Sequence, residues 1–124
     1  MAIAAALALG ACADATQSHG GAGTWLAKLS SPNGAEGAAV VELVGKGILN
    51  VSTAGGGILF QQPHGDTMRV VAMADTSVNH GGTIQFHVKM AEGSAAPAAT
   101  VLQVAAPNDA LRGSLAGYRV DLSR

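Results

Sequence analysis

His64, His80 and His87, with Met68, Met73 and Met90, are the residue types of a copper site, since thioether suits Cu(I) and imidazole suits Cu(II). Their spacing works against that chemistry. His87 and Met90 are an odd number of residues apart in a strand-like stretch, as are Met68 and Met73, so each pair points to opposite faces and cannot share one ion without a bulge. Asp66, Asp75, Asn79 and Asp109 lack the dense spacing of a calcium loop. No metal ligand set and no cofactor site is therefore assigned.

Acid–base and nucleophilic chemistry fare no better. Gly113-Ser114-Leu115-Ala116-Gly117 approaches a Gly-x-Ser-x-Gly nucleophile elbow, but its serine comes one position early and it precedes a strand pattern instead of a helix, so it reads as a turn. The acidic residues are scattered singly, Glu36 and Glu42 being the nearest pair. They are expected to be solvated surface carboxylates, with no pair whose surroundings would push an acid and a base apart. No catalytic residue is assigned, and the chain is read as a non-enzyme.

The elements behind these residues are strands. Short apolar runs recur between Gly, Pro and Asn clusters, and no stretch holds the i, i+3, i+4, i+7 spacing of a helix for three turns. Period two then assigns faces. Trp25, Ala27 and Leu29 form one inward set and Ala39, Val41 and Leu43 another, with Glu42 on the wetter side. A short strand over Ile48–Val51 precedes Gly55-Gly56-Gly57, and a further one starts at Ile58 and is expected to stop at Pro63, which cannot donate to a ladder. The Pro63-His64-Gly65-Asp66 cluster predicts a hairpin. It leads into a strand apolar enough to be central, with Met68, Val70, Ala72 and Ala74 on one face and Arg69, Val71, Met73 and Asp75 on the other. Ile84, Phe86, Val88 and Met90 alternate strictly with an outward set of Thr83, Gln85, His87 and Lys89. Thr100, Leu102 and Val104 alternate with Val101 and Gln103, and Tyr118, Val120 and Leu122 with Arg119, Asp121 and Ser123. The fold class is all-β: a two-sheet antiparallel β-sandwich of the Ig-like or jelly-roll kind with about 7 to 9 strands.

Composition narrows the function. Seven Lys and Arg against eight Asp and Glu leave a net charge of −1 without a run of like charges, which excludes tracking a phosphate backbone, so nucleic acid is not an expected partner. Charged residues are 12% of the chain, leaving an outer surface of Gly, Ala, Ser, Thr, Asn and Gln that suits shape-based binding better than steering of a charged substrate. The chain has one Trp, one Tyr and two Phe. All four, Trp25, Phe60, Phe86 and Tyr118, are expected to be core residues of so small a domain. Arg112 and Tyr118 are expected to make a corner before the last strand, the phenol hydroxyl tied to backbone.

The apolar run Ala2–Leu9 followed by Leu9-Gly10-Ala11-Cys12 resembles the end of a bacterial lipoprotein signal peptide. That resemblance implies lipidation of Cys12, the only cysteine, so no disulfide or thiolate site is available downstream. The run is too short for a transmembrane helix. Ala11-Cys12-Ala13 also fits ordinary secretory cleavage, which would release a protein starting at Asp14. No Lys or Arg precedes the run, so the reading expects a start further upstream. Residues 1–13 are thus assigned as signal peptide, 14–23 as a flexible Gly-rich linker and 24–124 as the domain. The expected location is the cell envelope, lipid-anchored at the outer membrane or in the periplasm, the alternative being secretion. Membrane contact is through the lipid alone.

The words Ala38-Ala-Val-Val-Glu-Leu-Val-Gly-Lys-Gly-Ile48, Asp66-Thr-Met-Arg-Val-Val71 and Thr83-Ile-Gln-Phe-His-Val88 resemble the strand order of bacterial cohesin-type modules over residues 23 to 123. The resemblance implies a non-catalytic binding or scaffold module whose partner is another protein module. A carbohydrate-binding module taking a polysaccharide is the alternative, and a periplasmic copper-handling protein a third reading. An exposed apolar patch on one sheet would favour the first, an exposed Trp25 or Tyr118 the second, and two histidines converging on a methionine sulfur the third.

Overall fold

The computed structural model describes residues 23–74 and 83–124. Eight strands follow one another: β1 (Gly23–Ser30), β2 (Ala38–Val44), β3 (Ile48–Thr53), β4 (Ile58–His64), β5 (Thr67–Met73), β6 (Gln85–Met90), β7 (Ala98–Ala105) and β8 (Arg119–Ser123). They form two four-stranded antiparallel sheets, ordered β3-β6-β1-β8 and β4-β5-β2-β7. The fold is the two-sheet β-sandwich the alternating pattern predicts. Gly23, placed at the end of the linker by composition, is the first residue of β1.

Only the β4–β5 hairpin keeps consecutive strands in one sheet; every other connection crosses the sandwich. Each crossing turns an inward set of one sheet toward the inward set of the other. Ala27, Leu29, Val51, Ile84, Phe86, Val88 and Met90 meet Ala39, Val41, Leu43, Met68, Val70, Ala72 and Val104 in one core. The sets from β1, β2 and β6 are the inward faces that period two assigns, because a one-residue slip in any of these strands would carry its whole apolar set to solvent.

Two strands depart from the expected pattern. β4 runs through Pro63 to His64 instead of stopping. In the hairpin His64 pairs with Thr67, leaving Gly65-Asp66 as a two-residue loop with φ +63° at Gly65, the left-handed first position of a II′ turn. In such a hairpin the closing pair exchanges its hydrogen bonds, so the even residues of β4 bond β5 and the odd ones face away. Pro63 therefore lacks an N–H only on the side where no strand would receive it, and an edge strand tolerates it. In β7 the register shifts between Val40 and Val41, so that Val41 opposes Val101 and Ala39 opposes Val104. One extra residue in β7 puts Val101, not Leu102, with Val104 toward the core, and Leu102 is exposed.

Candidate functional site

The outer face of the β4-β5-β2-β7 sheet is built by residues opposite one another on neighbouring strands. Ile58, Met73, Ala38 and Ala105 make one row, and Phe60, Val71, Val40 and Gln103 the next. Leu111, bridged to Ala105, extends the first row past the sheet edge. Sixty per cent of Phe60, 55% of Ile58 and 63% of Leu111 are exposed, an unusual concentration of large apolar side chains for a face turned to water. A shallow hollow of about 200 Å³ lies among Ala38, Val40, Val71, Ala105 and Leu111. The expectation that Phe60 is a core residue is therefore wrong. Leu59 packs against the core, and alternation on a strand sends the next side chain to the opposite face.

The next rows of the same face carry polar groups beside an exposed Val44. Gln62, Arg69 and Glu42 stand opposite one another, followed by His64, Thr67 and Val44. Arg69 Nη2 donates to Glu42 Oε2 at 3.2 Å, and with Gln62, Pro63, His64 and Thr67 this pair lines a depression of about 310 Å³. The face is thus divided along its strands into an apolar part and a hydrogen-bonding part.

The outer face of the other sheet carries the expected set Thr83, Gln85, His87 and Lys89, of which Thr83 and Lys89 are exposed and the other two half-buried. Gln85 Nε2 turns to the Ala54 carbonyl at 3.3 Å. His87 Nδ1 is buried without a partner. His64 and His87 lie on different sheets, Met68 and Met90 are buried and Met73 is exposed, so these candidate ligands are not brought together. His80, Asp75, Asn79 and the lipidation candidate Cys12 lie outside the described residues, as does the linker up to residue 22. Trp25 is half-buried, its ring covered by Arg124 at 4.7 Å from the centroid.

One carboxylate departs sharply from the solvated state expected of it. Glu36 is 1% exposed, between β1 and β2. Its Oε2 accepts the Ser31 hydroxyl at 2.6 Å and the Tyr118 hydroxyl at 2.5 Å, and its Oε1 lies 3.1 Å from Arg112 Nε and 3.0 Å from Nη2. Tyr118 Oη in turn accepts Asn33 Nδ2 at 2.8 Å. The corner predicted for Arg112 and Tyr118 forms, but around a carboxylate and not around backbone. Burial alone would raise the Glu36 pKa; the Ser31, Tyr118 and Arg112 hydrogen bonds and the Arg112 charge outweigh it and hold the carboxyl below its ordinary value. With every lone pair so engaged, this carboxylate ties the loop before β2 to the segment before β8. Ser114, the serine of the near-elbow, uses its Oγ to accept the Ala116 N–H at 3.2 Å in a turn.

Among the described residues, no group of three or more His, Cys, Asp or Glu side chains is arranged to hold a metal ion, and no helix is long and apolar enough to cross a membrane. Comparison of the chain with protein-family models, curated proteins and solved structures finds no match in any of the three. What the sequence reasoning missed on this face is Phe60 and Leu111. The available signal was Pro63, whose tolerance inside a strand marks β4 as an edge.

Proposed function

We propose that the chain is a non-catalytic binding module of the cell envelope, cohesin-like in kind, that recognises a partner protein through the outer face of the β4-β5-β2-β7 sheet. The observation that carries this reading is the pair of apolar rows, with Ile58, Phe60, Met73 and Leu111 exposed together on a domain that already has a complete core. A patch of that kind, bordered by the Gln62, Arg69 and Glu42 row, has the apolar centre and polar rim of a protein-binding surface. The resemblance of residues 9–12 to a lipoprotein signal supplies the anchor, and the Gly-rich segment after it the reach.

Site-directed photo-crosslinking in the producing cell tests the reading. A photoreactive residue replacing Leu111 should give a discrete adduct with one protein, whereas the same residue replacing Lys89 on the opposite sheet should not. Equal adducts from both positions, or none from Leu111, would refute it. A polysaccharide ligand is supported by a separate observation: Phe60, exposed, lies one row from the Gln62, Arg69 and Glu42 row that lines the depression, an apolar ring next to planar hydrogen-bonding groups. Retardation in polysaccharide-containing gels, lost in Phe60→Ala, would establish that reading in its place.

A further inference from the structure

A β-sandwich has four sheet edges, and each exposes main-chain groups that invite another strand unless something covers or charges them. Three are managed here. The β7 edge is covered at its C-terminal end by the segment after it, where Arg112 N–H bonds the Val104 carbonyl, Ala106 N–H bonds that of Ala110, and Leu111 bridges Ala105. The β8 edge carries Arg119 and Asp121, both exposed. The β3 edge is occupied by a side chain. Gln61 Oε1 accepts the Val51 N–H at 3.2 Å and Gln61 Nε2 donates to the Val51 carbonyl at 3.2 Å, so one amide satisfies both groups of that peptide pair.

The fourth edge, β4, has no such cover among the described residues, where it ends the sheet order. Its outward side chains Ile58 and Phe60 are large, apolar and more than half exposed. No Asp, Glu, Lys or Arg occurs between Lys46 and Asp66, so the side of the sandwich made by β3 and β4 bears no formal charge. Two copies can approach there without like-charge repulsion, and a strongly charged partner would find nothing to pair with.

We propose that β4 pairs antiparallel with β4 of a second copy of this chain about a two-fold axis at Phe60, joining the two β4-β5-β2-β7 sheets into one. The register follows from which groups face the edge. Leu59 and Gln61 direct their N–H and C=O outward, as the hairpin alternation requires, and an axis at Phe60 sets Leu59 against Gln61 of the other copy so that each exchanges both bonds. Moving the axis to Gln61 would put Leu59 against Pro63, which has no N–H to give. Moving it to Leu59 would demand a strand conformation of Gly57, whose φ is +106°. At the Phe60 axis the two Phe60 rings face each other on the outer surface at the close spacing of a non-hydrogen-bonded pair, where aromatic cross-strand contacts are strongest. The pairing goes beyond the proposed function, because Leu111 and Val40, central to the face, take no part in it.

The test is sedimentation and light scattering of the full chain with Cys12→Ser, so that no native thiol contributes. The protein with wild-type β4 should sediment at twice the chain mass of 12.2 kDa, and Phe60→Lys, which sets two ammonium groups against each other, should return a monomer that still unfolds cooperatively, its melting temperature no longer rising with protein concentration. Phe60→Cys should form an intermolecular disulfide under mild oxidation, while Met73→Cys, exposed on the same face but across β5, should not. A wild-type strand that stays monomeric into the millimolar range overturns the proposal, as does a Phe60→Lys protein that still dimerises, or equal crosslinking from positions 60 and 73. A monomeric wild type leaves the Leu111 crosslinking result standing on its own, so the two failures are distinguishable.

Discussion

Replacing Glu36 by alanine removes the acceptor on which Ser31, Tyr118 and Arg112 converge. Deleting one member of a buried ion pair costs about 3–5 kcal/mol, because the partner is left desolvated without its counter-charge. Arg112 is 29% exposed where Glu36 is 1%, so the released guanidinium recovers some water and the cost should lie near the lower limit, about 3 kcal/mol. Against a total stability of about 5–15 kcal/mol for a domain this size, the change is large and lowers the melting temperature by roughly 12 to 24 °C. Urea unfolding followed through Trp25, the only tryptophan, should show a lower midpoint at an unchanged slope. Because the folded-state pKa of Glu36 is depressed, the stability it contributes is fully present above the unfolded value of about 4.3 and is lost as pH falls through the folded value. The stability difference between wild type and Glu36→Gln should therefore be constant near neutral pH and shrink below about pH 4.3. Glu42→Gln serves as the control: its pair with Arg69 is solvent-accessible on both sides, and its loss should cost under about 1 kcal/mol. If Glu36→Ala cost no more than Glu42→Gln, or if the Glu36→Gln difference did not shrink in acid, the account of this corner would be wrong.

Phe86 and Phe60 are the same residue type in opposite environments, so Phe86→Ala should cost about 3–5 kcal/mol and Phe60→Ala, in the monomer, under about 0.5 kcal/mol; similar melting temperatures for the two would refute the face assignment of β4. Cys12→Ser in the producing cell should abolish palmitate incorporation and release the protein from the membrane fraction, whereas recovery of a natural product beginning at Asp14 would refute lipidation.

How legible the molecule was depends on the range of the interaction concerned. All eight strands lie where the apolar alternation puts them, since the period-two pattern is carried by residues next to one another. The buried sets of β2 and β6 agree residue for residue with the inward sets, Ala39, Val41 and Leu43 being one example, and in β5 one of the two faces read from the sequence, Met68, Val70 and Ala72, is the buried one. The alternation failed where a partner strand intervened. In β7 the bulge opposite Val40 moves Leu102 outward, and its position depends on how β2 fits β7, which no local pattern records.

Phe60 illustrates the same division for the candidate site. An aromatic residue near a proline has the composition of a core position, and only the packing of Leu59 against the core shows that Phe60, its neighbour on the strand, is turned outward. Glu36 is a second case. A lone glutamate between turns reads as a surface carboxylate, and it becomes the most buried acid of the described residues because Arg112 and Tyr118, 76 and 82 residues away in the chain, arrive at the same corner. The chain by itself determined the strand positions, the inward faces of β2 and β6 and the resemblance of its first residues to an export signal, because each is a property of neighbours along the backbone. Tertiary structure alone decided the sheet order, the exposed apolar rows and the buried carboxylate, because each arises from which distant strands meet and which edges they leave open.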